Sequence, residues 1–482
     1  MAMNQAFVDF NETFSSLVAS NGDSSEGLLD EVIDRCNINL VSYEGSPTLE
    51  MDRTLGIMKQ IVTSDQVYPI DYGALMTLLS ALIMKYPFER LIELFTVSDL
   101  EGALLAPIER LNGMACLIIA NSDPKGLFAS TEMIDILLGK YFDPKSGIEL
   151  INNIELVFNR LATDELIRRR VLKNNLPLLL RVKNKTKDVL IATRLLELLK
   201  ICFEYITFSE FNENLFIVSG TDIKESIDVN ILLFINICTY YCNLFETTRF
   251  LTVGNLKNQW RLKHLQKIIP IFGELYRDIN MYPDVQQYGL SYLFKVLKQI
   301  SFLDDKSYFN DLDKNYIKIS NTNEYLLDLL SFVDPGYLYQ YHANIVKTKG
   351  HVSPSEITIL RNLMSNEDCF DLIKKNISAE DFLVMPYLEQ MVVLQKMSQY
   401  RYSASFLLMH LPKVMSSLIS KEQTEITEPE TAQLRIEVIE NLLTSEVEEL
   451  NVWYEPLRGL LTRIKTGVPR EFIGSKIESS FS

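Results

Sequence analysis

The side chains in this sequence that could bind a metal or attack a substrate are six cysteines, four histidines and a scatter of carboxylates. Cys238 and Cys242 lie four residues apart, which puts both thiols on one helix face and would make half a metal site. No further Cys, His or carboxylate stands at ligand spacing to complete it, so packing within an apolar helix is the expectation. His264, His342, His351 and His410 are scattered. His351 follows Gly350 in a loop and His264 sits among basic residues, which suits surface or structural roles. The sequence has no GxxxxGK(S/T) phosphate loop, no GxGxxG after a strand, no HExxH and no GxSxG elbow. A non-enzymatic protein with no metal or cofactor is therefore expected.

Charge points to partners instead. The chain carries 47 basic and 63 acidic residues, a formal net charge of −16. Such a surface repels phosphate backbones, so direct nucleic-acid binding is not expected. Arg160–Lys187 reverses that balance, with nine basic residues (Arg160, Arg168, Arg169, Arg170, Lys173, Arg181, Lys183, Lys185, Lys187) against Asp164 and Glu165. This is either a solvated turn region whose arginines cap helix ends and pair with carboxylates, or a docking patch for an acidic partner. Lys421–Glu449 holds nine glutamates against Lys421 and Arg435, and its Glu422–Glu430 part reads as an exposed loop. Tyr387, Glu389, Gln390, Tyr400, Arg401 and Tyr402 mix aromatic and polar character, as do Trp453, Tyr454 and Glu455. Such mixtures serve as interface anchors or fill seams between helices.

Helices must position these groups. Only 19 Gly and 16 Pro occur among 482 residues, too few for the tight turns of a β-sandwich or the glycine loops of a dinucleotide fold. Apolar stripes at helical spacing recur: Leu75, Leu78, Leu79, Leu82 and Ile83; Ile134, Leu137, Leu138 and Tyr141; Leu195, Leu198, Leu199 and Cys202; Ile436, Ile439, Leu442 and Leu443. Four apolar-Pro steps, at Pro177, Pro270, Pro386 and Pro412, each open an apolar helix. Asn159, Asn362 and Asn441 each stand near a helix end beside a Leu, 203 and then 79 residues apart. Both intervals lie near multiples of about 40, the period of HEAT and armadillo repeats. The expected fold is all-α: a curved α-solenoid of roughly eleven such repeats, whose inner helices line one concave surface.

The expected organisation is a variable N-terminal segment (1–27), a solenoid (28–464) whose halves meet near 220–255, and a C-terminal tail (465–482). Ile231–Phe245 is the most apolar stretch, yet it is shorter than the ~20 residues of a membrane span and contains Asn236, Thr239 and Asn243. Met1–Phe10 has no secretory pattern, and the cysteines suit a reducing compartment. A cytosolic or nuclear protein is expected, with no membrane partner.

Four strings carry a resemblance: Asn121-Ser122-Asp123-Pro124-Lys125-Gly126-Leu127-Phe128-Ala129, Thr163-Asp164-Glu165-Leu166-Ile167-Arg168-Arg169-Arg170, Tyr387-Leu388-Glu389-Gln390-Met391 and Val452-Trp453-Tyr454-Glu455-Pro456-Leu457. They resemble a budding-yeast family of HEAT-repeat chaperones that assemble the base of the proteasome regulatory particle, also known as DNA mismatch-repair proteins. The similarity runs from about Cys36 to Leu457; both termini and Glu422–Glu430 diverge. It implies a concave face gripping the C-terminal domain of a proteasomal regulatory ATPase, the first Rpt-type subunit. A neighbouring ATPase and the large non-ATPase scaffold subunit would share that base precursor, and the chaperone would leave before maturation. By helical phasing the expected contacts are Arg361, Asn362, Tyr387, Glu389, Gln390, Arg401 and Tyr402, with Arg168, Arg169 and Arg170 second. The alternative is an adaptor in DNA repair or nuclear transport that holds a linear peptide in the same groove.

Overall fold

The computed structural model describes residues 2–19, 26–64, 66–185, 188–252, 258–320, 324–349, 351–420, 426, 428–445 and 450–466. Among these the regular structure is helical, with no strand. Two compact units are present: Met1–Thr247 with Lys257–His264, and Thr248–Leu256 with Leu265–Ser482. Most of Glu422–Glu430, Lys187, and residues 467–482 of the expected tail lie outside the described residues.

The first unit is a series of helix pairs. Helix α1 (Ala2–Ala19) packs on α2 (Glu26–Val41), and α3 (Leu49–Thr63) on α4 (Tyr72–Ile83). After the short α5 (Phe88–Leu94), α6 (Val97–Leu105) packs on α7 (Glu109–Ala120), and α8 (Met133–Tyr141) on α9 (Ile148–Leu161). Helix α10 (Glu165–Arg169) passes through a π-helical turn, Arg170–Asn174, toward α11 (Leu176–Lys185), which packs on α12 (Val189–Phe203). Then come α13 (Glu213–Phe216), α14 (Gly220–Val229), α15 (Ile231–Thr252) and α16 (Gln259–Leu265). The second member of each pair touches the next, so α2, α4, α7, α9 and α12 form one continuous row.

Local chemistry sets the helix starts. Asp71 accepts from the backbone N–H groups of Gly73 and Ala74, Thr96 and Asp99 make a reciprocal capping box, and Asp164 accepts from Leu166 and Ile167. Helix α1 falls within the stretch expected to vary. Its Phe7, Phe10, Phe14 and Leu17 are buried, and the Ala6 carbonyl accepts from Cys36 Sγ at 3.3 Å. Phe234, Ile237, Cys238, Tyr240, Tyr241, Leu244 and Phe245 of α15 are buried as well. No described helix is long and apolar enough to cross a membrane.

In the second unit α17 (Ile269–Arg277) packs on α18 (Leu290–Ser301), and α19 (Ser307–Leu312) runs into a π-helical turn, Asp313–Ile317. There follow α20 (Leu326–Leu330), α21 (Pro335–Lys349), α22 (Ile357–Leu363), α23 (Glu367–Ile373), α24 (Ala379–Val384), α25 (Tyr387–Ser398), α26 (Arg401–His410), α27 (Pro412–Ser420), α28 (Pro429–Leu443) and α29 (Tyr454–Thr466). Helices α20, α22, α25, α28 and α29 form the continuous row here. Helix α21 breaks at His342 (φ −134°, ψ 33°), where Nε2 meets Asp313 Oδ2 at 2.5 Å. The same carboxylate accepts from Tyr337 Oη at 2.7 Å and from Ile319 N–H at 2.8 Å. One buried carboxylate thus ties the π-turn to both halves of a kinked helix.

Side-chain hydrogen bonds reveal the repeat directly. In the first unit Arg90 reaches Asp52 across 38 residues, Arg160 reaches Asn121 across 39, Lys59 reaches Asp99 across 40 and Asn236 reaches Thr193 across 43. In the second, Tyr402 reaches Met364 across 38, Tyr308 reaches Gln266 across 42 and Asn441 reaches Ser398 across 43. Equivalent positions in successive repeats lie side by side, which is what an all-α solenoid requires.

Candidate partner-binding site

The expected contact residues in the second unit take different roles. Asn362 Nδ2 donates to the carbonyls of Leu330 (2.8 Å) and Val333 (2.7 Å), closing the end of α20. Gln390 is 7% exposed, and its Nε2 donates to the Met385 carbonyl at 2.8 Å, just past α24. Both amides satisfy carbonyls that a helix end leaves without an intrahelical partner. An Asn362→Ala variant is therefore expected to lose about 1–3 kcal/mol of stability, read by urea unfolding; an unchanged midpoint would show that water replaces the amide.

Arg361, Tyr387 and Glu389 are half-buried on α22 and α25, two helices in contact. Among the described residues Arg361 Nε and Glu389 Oε2, both shielded from solvent, meet no hydrogen-bond partner. About 16 Å of helix then separates the first turn of α25 from Arg401 and Tyr402 beyond its end. Arg401 is exposed. Tyr402 donates to the Met364 carbonyl at 2.8 Å and stacks on Tyr400 with centroids 5.5 Å apart. Its ring also meets Phe370 at 5.5 Å, and Phe370 meets Phe406 at 5.5 Å, so α23 and α26 carry an aromatic shelf. Lys396 Nζ lies over the Tyr400 ring and donates to its hydroxyl at 3.0 Å. Trp453 Nε1 donates to the Leu408 carbonyl at 3.2 Å.

The three consecutive arginines do not form a single cluster. Successive residues on a helix point about 100° apart, and these side chains part accordingly. Arg168, 5% exposed, donates through Nε and Nη2 to both oxygens of Glu210 (3.1 and 3.4 Å). Its Nη1 donates to the carbonyls of Ala162 and Thr163, both at 2.9 Å, closing the end of α9. Arg170 pairs with Asp135 through Nε and Nη2. Arg169 alone is exposed.

Arg168 caps a helix end and pairs with a carboxylate, as one reading of Arg160–Lys187 expected, and buried polar side chains outside that stretch cap other helices too. Asn112 Nδ2 donates to the Ala103, Leu104 and Ala106 carbonyls at the C-terminal end of α6. Arg194 Nη1 donates to those of Tyr141 and Asp143, and Arg261 to those of Phe203, Glu204 and Ile206. Burial holds the Arg261 guanidinium down to about 10. Lys183 Nζ donates to the Asn214 and Ile217 carbonyls, and burial lowers it to about 8. For Asn112 and Arg194 the sequence signal was a lone polar residue within an apolar stripe.

All six cysteines are free thiols, five of them buried, and burial pushes Cys36, Cys116, Cys202 and Cys369 up to about 12. His264 Nδ1 bonds Glu213 at 3.0 Å within an aromatic group of Phe208, Phe211 and Trp260. Among the described residues no three His, Cys, Asp or Glu side chains are placed to hold a metal.

Repeats built this way define an all-α solenoid. The chain belongs to the family described as DNA mismatch repair protein HSM3: its N-terminal domain model matches residues 11–246 and its C-terminal domain model residues 258–482. The HSM3 protein of Candida glabrata is 49% identical over 481 residues, covering 100% of both chains. That of Saccharomyces cerevisiae is 37% identical over 442 residues, covering 91% of each. A chain of the solved Kap95p–RanGDP structure aligns with 94% of this chain and 60% of its own, at 11% identity and a TM-score of 0.43.

Proposed function

We propose that this protein is a non-enzymatic assembly chaperone for the base of the proteasome regulatory particle, working in the cytosol or nucleus. It holds the C-terminal domain of a regulatory ATPase, the first Rpt-type subunit, within a precursor that includes a neighbouring ATPase and the large non-ATPase scaffold subunit. It leaves before the particle matures. One observation carries this reading. Half-buried Arg361, Tyr387 and Glu389, on touching helices, stand on the row that leads to the Tyr400–Tyr402 shelf. Aromatic and Arg anchors of this kind dominate binding energy at protein interfaces.

The description of the relatives favours a second reading, an adaptor in DNA mismatch repair that holds a linear peptide. A net charge of −16 disfavours direct contact with DNA, so a repair role would act through a protein partner. Size exclusion with the folded ATPase C-terminal domain distinguishes the two. A stoichiometric complex is expected, weakened about tenfold or more by Arg361→Ala with Tyr402→Ala. Absence of a complex with the folded domain, while a repair-protein peptide binds, would replace the chaperone reading with the adaptor.

A further inference from the structure

We propose that a cavity of about 320 Å³ in the second unit docks a proline-rich peptide segment that carries a basic side chain. Its wall is made by the turn before α17, by α17 itself, by α19 and by the π-helical turn that follows α19. Half-buried Tyr308 and Tyr316 both line it, and Pro270 and Leu312 add apolar surface. The fold fixes both rings. Tyr308 Oη donates to Gln266 Oε1 at 3.1 Å, and Arg277 lies over the Tyr316 ring, 5.5 Å from its centroid. Gly273 lets α17 come close: a Cβ there would stand 2.9 Å from the Tyr316 ring and 2.7 Å from Leu312. The polar groups on the wall are few. Among the described residues Gln266 Nε2 and the Asn315 amide donate to nothing, and Asp311, exposed, is the one charged side chain lining the cavity. Burial and then the nearby Asp305 carboxylate push the Tyr308 hydroxyl up, so a second negative group borders the site. Lys267 and Lys314, next in sequence to wall residues, do not line it.

The common modes of peptide docking make different demands on such a wall. An added strand needs an exposed sheet edge, and the described residues form no strand. An amphipathic helix needs room for large anchors at i, i+3, i+4 and i+7, more than a cavity of about 320 Å³ holds. A polyproline II segment needs aromatic faces for its rings and donors for its carbonyls, which have no internal hydrogen bonds. Tyr308 and Tyr316 supply the faces, and Gln266 and Asn315 supply the donors. Proline has no N–H to strand against an aromatic wall. Asp311, with Asp305 nearby, sets the sign of the flanking charge and selects Lys or Arg beside the prolines. This inference goes beyond the ATPase reading and uses none of the residues assigned to that contact.

The test is fluorescence anisotropy of the full chain with a labelled peptide of about a dozen residues, Ala-Pro-Pro repeats with one terminal Arg. Saturable binding is expected, and the same peptide with Ala at every Pro should bind at least about tenfold more weakly. Tyr308→Ala/Tyr316→Ala should weaken binding about tenfold or more. Tyr288→Ala removes a ring that is 55% exposed elsewhere in the unit and should leave binding within about twofold. Circular dichroism reports the fold of each variant. If the double tyrosine variant does not fold, Asp311→Asn/Asn315→Ala, at two exposed positions, should weaken binding about threefold. No binding by the unmodified chain, equal affinity for the proline-free peptide, equal loss in Tyr288→Ala, or undiminished affinity in a folded cavity variant overturns the inference.

Discussion

Arg168→Ala is expected to remove about 3–5 kcal/mol of stability from the first unit, the cost of breaking a buried ion pair from one side. The truncation leaves Glu210 charged at a site where both side chains are nearly sealed, 6% and 3% exposed. It also abandons the Ala162 and Thr163 carbonyls at the end of α9. The pair itself need not be a net gain, because burying two charges costs about what their attraction returns. Hence Arg168→Met with Glu210→Leu should recover most of the loss. Two tryptophans make the measurement clean, since Trp260 lies in the first unit and Trp453 in the second. In a Trp453→Phe background, fluorescence-detected urea unfolding reports the first unit alone. A double variant no more stable than Arg168→Ala would shift the loss from the stranded charge to the uncapped helix.

Asp313→Ala should cost the second unit about 2–4 kcal/mol, by orphaning the Ile319 N–H, the Tyr337 hydroxyl and His342 Nε2 together. Burial pushes the Asp313 carboxyl up, but bonds from His342, Ile319 and Tyr337 outweigh it and hold it below the ordinary range. A carboxyl depressed in the folded state stabilises fully above its unfolded value, about 3.9, and that stabilisation fades as pH falls through the folded value. The second unit should therefore weaken below about pH 4, and Asp313→Ala should flatten that acid slope. Unfolding followed by Trp453 in a Trp260→Phe background across a pH series checks this. A slope unchanged in Asp313→Ala would assign the acid sensitivity to other carboxylates.

Much of the helix inventory was legible because periodicity is a local signal. The stripe Leu75, Leu78, Leu79, Leu82 and Ile83 is entirely buried in α4, and Ile134, Leu137, Leu138 and Tyr141 are entirely buried in α8. Pro177, Pro270 and Pro412 lie in the first turns of α11, α17 and α27, while Pro386 precedes α25. The destinations of polar side chains were not legible. Asn362 and Asn159 look alike in sequence, yet Asn362 caps a neighbouring helix and Asn159 donates to its own Glu155 carbonyl at 2.9 Å. A side chain that meets the carbonyl of another helix leaves no mark on the sequence around that carbonyl. The same holds for Arg168 and Arg169: phase alone sends one inward, and only Glu210, 42 residues away, shows which. The half-buried state of Arg361 and Glu389 depends likewise on how α22 and α25 meet.

Partners that recur about forty residues apart also shape how the chain is made. Closing a loop of that length costs little more entropy than closing a shorter one, and nearly all of these bonds join neighbouring repeats. As the polypeptide leaves the ribosome, each new helix pair finds its docking surface already present on the pair before it. The nascent chain need never wait for its own far end.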